Sequence, residues 1–168
     1  MVVCAVVAQA GTVTWDGDTS TDWFAGGNWS TGSAPGTADD VVIPNVGSQP
    51  TLGAAGATVA SLTVDTGRTL TCSGNLTVSG SVSCTGTLDL NTTTFTCGGN
   101  FSVTGTLAED TSTIVMSGTA GPYTVTLPAA DAKVNALTFS GSGAFGFGNA
   151  SVTLGSTWKQ SAGTVTAP

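Results

Sequence analysis

From Ser61 onward, single apolar residues alternate with Thr or Ser in short runs, and each run is cut by Gly or Asn. Alternation with a period of two marks a strand with one buried face, and Gly and Asn supply the turns between strands. The runs also repeat. Residues 71–82, with Thr71-Cys72, Gly74-Asn75, Leu76-x-Val78, Gly80 and Val82, match residues 96–107 at a period of 25 without a gap. Leu62-x-Val64, Leu88-x-Leu90, Ile114-x-Met116 and Leu137-x-Phe139 follow one another at 26, 26 and 23 residues. Leu70-x-Cys72, Phe95-x-Cys97, Val125-x-Leu127 and Val152-x-Leu154 make a third series. Each run carries too few apolar residues to bury a core alone, whereas stacked coils join them into continuous ladders. The pattern predicts an all-β chain: a parallel β-solenoid (β-helix) of about four coils of roughly 25 residues over 51–168. An antiparallel sandwich also suits short, regularly spaced strands, and the exact repeat favours the solenoid.

The first 50 residues break the pattern. Residues 11–50 hold Trp15, Trp23 and Trp29 and the acidic residues Asp16, Asp18, Asp22, Asp39 and Asp40. A solenoid needs its first coil covered, so this stretch is expected to be an N-terminal cap with the three indoles as its packing. Residues 1–10 are apolar, and Ala8-Gln9-Ala10 before Gly11 has the small residues of a leader cleavage site. The segment reads equally as a leader remnant or as an assembly strand built on Val2, Val3, Ala5, Val6 and Val7. Residues 163–168 carry no recognisable cap, so the last coil is expected to be open.

Composition narrows the function. Of 168 residues only 8% are charged, with three Lys and Arg (Arg68, Lys133, Lys159) against ten acids, and there is no His. With so few bases there is no stripe to neutralise phosphates, so neither nucleic acid nor an anionic membrane is an expected partner. No apolar run reaches the ~20 residues of a membrane-spanning helix. Lack of His removes the commonest general base and metal ligand. Four Cys suit an oxidising compartment. Cys72 and Cys97 are expected at equivalent places on adjacent coils, either bridged or as small apolar rungs of a ladder, with Cys4 and Cys84 unassigned.

The series Trp15-x-Gly17, Trp23, Asn28-Trp29, Pro35 and Asp39-Asp40-Val41-Val42-Ile43-Pro44, followed by Gly98-Gly99-Asn100-Phe101 and Asn135-Ala136-Leu137-Thr138-Phe139, resembles the Thr/Gly-rich parallel β-helix repeats of bacterial secreted and surface proteins, of the adhesin or autotransporter-passenger kind. The resemblance implies an extracellular or cell-surface place and a structural or adhesive role.

Candidate chemistry is sparse, and no enzyme is expected. Asp16, Asp18 and Asp22 could offer oxygens to Ca²⁺, though the spacing lacks the Gly and distal Glu of an EF-hand loop, and turn-forming Asp is the plainer reading. Apart from that possible Ca²⁺, no cofactor is expected. Aligned on the third series, Thr69, Thr71, Thr94, Thr96, Thr124, Thr126, Ser151 and Thr153 would form two rows of hydroxyls on one face, an ice-binding surface in the alternative reading. Trp15, Trp23 and Trp29 could stack on sugars if exposed, a second alternative. Sequons at Asn28, Asn75, Asn91, Asn100 and Asn149 leave glycosylation open. The leading expectation is a structural or adhesive solenoid that polymerises head to tail, a heterologous contact that grows as a fibre.

Overall fold

The computed structural model describes residues 10–149 and 151–166. Val2, Val3, Ala5, Val6 and Val7, the proposed assembly strand, lie outside the described residues, as does Cys4. The described chain forms eighteen strands and one 3-10 turn, η1 (Gly26–Asn28). The strands, numbered in chain order, lie in three sheets. An eight-stranded sheet holds β1 (Thr12–Thr14), β2 (Asp40–Ile43), β5 (Ser61–Val64), β8 (Val82–Cys84), β11 (Phe101–Val103), β14 (Tyr123–Thr126), β16 (Ala144–Phe147) and β18 (Thr164–Thr166). A six-stranded sheet holds β4 (Ala57–Val59), β7 (Leu76–Val78), β10 (Thr94–Cys97), β13 (Thr113–Met116), β15 (Lys133–Phe139) and β17 (Thr153–Gln160). A four-stranded sheet holds β3 (Thr51–Leu52), β6 (Thr69–Cys72), β9 (Thr87–Asp89) and β12 (Thr106–Ala108). Pairing within the sheets is parallel, and from β3 to β12 the chain visits the four-, six- and eight-stranded sheets in turn. This is the parallel β-solenoid the alternation predicts, with three faces.

The coil is shorter than expected. On the eight-stranded sheet Leu62 lies beside Val82, Val82 beside Phe101 and Phe101 beside Val125, steps of 20, 19 and 24 residues. On the six-stranded sheet Leu76, Phe95 and Ile114 follow at 19 and 19. With Val125 beside Phe147 and Phe145 beside Val165, five coil steps follow Leu62 rather than four. The 25-residue repeat is not a coil. Thr71 and Cys72 belong to β6 on the four-stranded sheet, and their images Thr96 and Cys97 belong to β10 on the six-stranded sheet. Likewise Leu76 of β7 maps onto Phe101 of β11, one face further on. The repeated unit is a strand and its corner. The inward residues Leu70, Leu76, Val82 and Leu88 advance by six per face, followed by Phe95 at seven and Phe101 at six. Three such steps make a coil of 18 to 20, and four make 25.

The inward residues close a single core. Leu76, Phe95, Ile114 and Leu137 form one column down the six-stranded sheet, all 1% exposed or less. Burying a Leu or Phe side chain contributes about 1.5–3 kcal/mol, so the columns are the main source of stability. The corners are tight. A methyl group added at Gly98 or Gly105 would overlap the carbonyl oxygens of Ser79 and Gly86 in the preceding coil, which excludes any larger residue there.

Asn side chains stitch the corners together. Asn75 Oδ1 accepts from the Thr94 N–H at 2.9 Å, Asn100 Oδ1 from Thr124 at 2.8 Å and Asn149 Oδ1 from Leu127 at 2.7 Å, each in a neighbouring coil. Asn91 Nδ2 donates to the Cys72 carbonyl at 3.1 Å. These residues, read in the sequence as sequons, supply partners to backbone groups that the strand ladders leave free.

The four-stranded sheet stops at β12 for a sequence reason. The column Leu52, Cys72, Leu90 is followed by Glu109, an acid at a core position, 9% exposed and 3.4 Å from Lys133 Nζ. Asp110 then takes a positive φ of 37°, and Pro128, without an N–H, sits where the next strand would form.

Candidate functional site

The segment between β1 and β2, within the stretch expected to be a cap, brings the three indoles together. Trp15, Trp23 and Trp29 are at most 2% exposed, and Trp29 packs edge-on against Trp15 at 4.9 Å and against Trp23 at 4.8 Å. Trp29 Nε1 donates to the Trp23 carbonyl and Trp15 Nε1 to that of Ser48, both at 2.7 Å. Their rings fill the core, so none is a platform for a sugar. Asn28, wholly buried, accepts from the N–H groups of Thr19 and Ser20 at 2.8 Å each and donates to the Asp22 carbonyl at 2.9 Å. It organises the loop that carries the acids.

Two of the acids of residues 11–50 form turns. Asp22 accepts from the Phe24 N–H at 3.0 Å and Asp39 from that of Gly36 at 2.8 Å, both within their own turns. Asp16, Asp18 and Asp22 do not converge: among the described residues no three carboxylates or thiols come close enough to hold a metal ion. Also among the described residues, no helix is long and apolar enough to cross a membrane.

The threonine series is dispersed. Thr69 and Thr71 stand on the four-stranded sheet, Thr94 and Thr96 on the six-stranded and Thr124 and Thr126 on the eight-stranded. Thr153 begins β17, and Ser151 precedes it outside any strand. The expected single face is therefore corrected: the series passes from the four- to the six- to the eight-stranded sheet and returns to the six-stranded one at Thr153. A different array takes its place. On the six-stranded sheet Thr58, Thr77, Thr96, Val115 and Thr138 form one outward column in strict parallel register. Thr94 and Thr113 stand side by side in the next column. Adjacent strands repeat at about 4.8 Å, so hydroxyls and methyls recur at that spacing. Beside the first two rungs an open cleft of about 400 Å³ is lined by Thr37, Ala55, Gly56, Ala57, Thr58, Asn75 and Thr77. It offers hydroxyl, amide and backbone groups among small side chains, which suits a neutral polar ligand. Alternation pointed to outward Thr in general; finding this column requires the six-residue step.

The cysteines are also spread. Cys72, Cys84 and Cys97 are buried, unbridged and on three different sheets, which corrects the placing of Cys72 and Cys97 on equivalent rungs. Burial pushes the Cys72 thiol up to about 12, with Asp89 adding to the rise, and the Cys84 and Cys97 thiols up to about 11. All three are inert as nucleophiles near neutral pH.

No curated protein and no solved structure matches the chain. One family model does: its stretch runs from Thr14 in β1 to Ala108, the last residue of β12, so it takes in the three indoles and the whole four-stranded sheet. With residues 14–108 of 168 matched, the chain belongs to the family described as Domain of unknown function (DUF8693).

Proposed function

We propose that the chain is a non-catalytic structural or adhesive β-solenoid of the cell exterior, working through the outward face of its six-stranded sheet. The observation that carries this is the column Thr58, Thr77, Thr96 and Thr138 beside Thr94 and Thr113, with the cleft at its first rungs. Hydroxyls on a rigid ladder hold their spacing without loss of side-chain entropy on binding, because β-branched Thr is already restricted at χ1. Such a face suits a repetitive, uncharged partner such as an extended polysaccharide. The side chains with the most chemistry are used inside the fold: Asp22, Asp39 and the Asn residues bond backbone groups, and the thiols are buried. The resemblance to secreted β-helix repeats supports the exterior location.

Retention on insoluble polysaccharides tests the reading. Changing Thr77→Lys together with Thr96→Lys should cut retention at least tenfold, while Thr87→Lys with Thr106→Lys on the four-stranded sheet should leave it unchanged. Equal retention of the two variants would sink the proposal.

The same array favours ice as a second reading, relocated from three faces to one. It predicts thermal hysteresis in the unmodified protein that Thr96→Tyr abolishes; a protein without hysteresis rejects it.

A further inference from the structure

Two sheets begin at neighbouring strands, and only one of the two outer edges is covered. The four-stranded sheet begins at β3, where the Thr51 N–H donates to the Thr21 carbonyl at 2.7 Å and the Trp23 N–H to the Thr51 carbonyl at 3.1 Å. The six-stranded sheet begins at β4, which pairs with β7 alone. Ala57 and Val59 face β7: the Ala57 N–H donates to the Asn75 carbonyl and the Ser79 N–H to the Val59 carbonyl, both at 3.0 Å. Successive residues of a strand bond to opposite sides, so Thr58 turns its N–H and C=O to the outer edge. Neither has a partner there among the described residues. The cause lies one coil back. Counting from Asp40 beside Ser61 puts Thr37 level with Thr58, so a ladder would offer the Gly36 carbonyl to the Thr58 N–H. That carbonyl accepts from the Asp39 N–H at 3.1 Å instead, and Asp39 Oδ2 accepts from the Gly36 N–H at 2.8 Å. Residues 36–39 thus close a turn where a strand would lie, and the cleft of about 400 Å³ opens between Thr37 and β4.

We propose that this cleft takes the acetamido group of an N-acetylated sugar, an inference that rests on the reading of the adjoining face as a polysaccharide surface. The acetamido carbonyl accepts from the Thr58 N–H, in the place of the Gly36 carbonyl that the missing ladder would have supplied. A hydroxyl on the next ring carbon donates to the Thr58 carbonyl. The acetyl methyl lies against the small side chains of Ala55 and Ala57, which an unsubstituted sugar would leave facing water. Asn75 Oδ1 is held by the Thr94 N–H, which leaves Nδ2 with the Thr37 and Thr77 hydroxyls for the rest of the ring. A peptide strand fits less well, because the edge is one residue wide. On either side of Thr58, the Gly56 N–H is taken by the Gly53 carbonyl at 3.1 Å and the Ala60 N–H by the Asp39 carbonyl at 2.9 Å. One amide finds its partners here, and an extended strand does not. From the same rung the column Thr58, Thr77 and Thr96 carries hydroxyls onward for the following sugars.

Amide NMR titration of the whole chain with three trisaccharides of one backbone isolates the group: fully N-acetylated chitotriose, its deacetylated form, and cellotriose. The acetylated trimer should bind about tenfold tighter than either other, the worth of one or two hydrogen bonds, and should shift the Thr58 amide. The net charge of −7 favours the cationic deacetylated trimer, so charge cannot mimic that order. Thr58→Pro removes the N–H on the open edge and leaves the bonds to β7 in place, and it should erase the preference. Thr58→Val keeps the N–H, so it should weaken all three trimers alike and preserve their ratio. Thr37→Tyr fills the cleft from an exposed position and should also erase the preference, which carries the test if Thr58→Pro does not fold. Equal binding of the three trimers overturns the proposal, and so does a preference that survives Thr37→Tyr. An N-acetylated, C-amidated trialanine that shifts Thr58 more than the acetylated trimer gives the edge to a peptide and overturns it as well. If the trimers bind alike while Thr77→Lys with Thr96→Lys still cuts retention on polysaccharide, this inference falls and the face reading stands.

Discussion

The first and last described coils of this solenoid use tryptophan differently. At the first, the chain runs through residues 15–39 between β1 and β2 and turns three indoles inward, with a buried Asn28 satisfying the loop that covers them. At the other, Trp158 extends a core column into solvent, and seven of the eight residues of β17 are exposed. A tryptophan therefore has opposite meanings in the two places. Among the first coils it is buried against other indoles; on β17 it covers Phe139 and Phe147 with one side and meets water with the other.

Four measurements break or sharpen that contrast. The largest effect is expected from Trp29→Ala, which removes the ring lying between Trp15 and Trp23 and should cost about 3–5 kcal/mol in urea unfolding. A loss under 1 kcal/mol would mean that the cap is not part of the cooperative core. Next comes pH. The thiols of Cys72, Cys84 and Cys97, on the coils between the first and last described, are held in the folded state at about 12, 11 and 11, above the ordinary 9.0. A raised folded value means that the unfolded chain releases these protons first. Stability is then fully present below pH 9 and falls as pH rises from 9 towards 11 and 12. A urea midpoint that is flat between pH 8.5 and 10.5 contradicts the buried placement, and so does rapid labelling of these thiols without denaturant. Third, Trp158→Ala should cost only about 1 kcal/mol, because the ring is half in water already. A cost matching that of Trp29→Ala would erase the difference between the two tryptophans. The smallest effect belongs to Asn100→Ala. It frees the Thr124 N–H at an exposed corner and should cost about 0.5–1.5 kcal/mol, with faster hydrogen exchange at Thr124 as the local readout.

Much of the fold was legible in the sequence. Alternation of Leu and Val with Thr gives strands buried on one side, and Gly-Asn pairs place the corners. The coil length was misread for an instructive reason. The strongest identity, residues 71–82 against 96–107, joins units one face apart, because neighbouring corners have the same backbone geometry and take the same residues. Counting the inward positions Leu70, Leu76, Val82 and Leu88 would have given the six-residue step. The threonine array was misplaced by that same error. Cysteine placement failed with it, since Cys72 and Cys97 are related by the repeat yet stand on different sheets. The coil-bridging Asn residues were hidden because the partner of Asn75 is the backbone of Thr94, and no side chain there signals the contact.

The six-residue step also separates stability from address. Removing one strand-and-corner unit, such as residues 73–78, would leave inward positions inward, since Leu70 would be followed by Val82 at the same interval as before. Everything downstream, however, would turn by a third of a revolution about the long axis. Rungs that now continue the threonine face would be dealt to a neighbouring side, and the column would be cut in two without a core residue changing its environment class. In a solid of this kind the interior counts in sixes and is indifferent to which side comes next, whereas the exterior is written in whole revolutions. An indel can therefore redraw the surface of such a protein more thoroughly than any set of point substitutions, at a modest cost to its core.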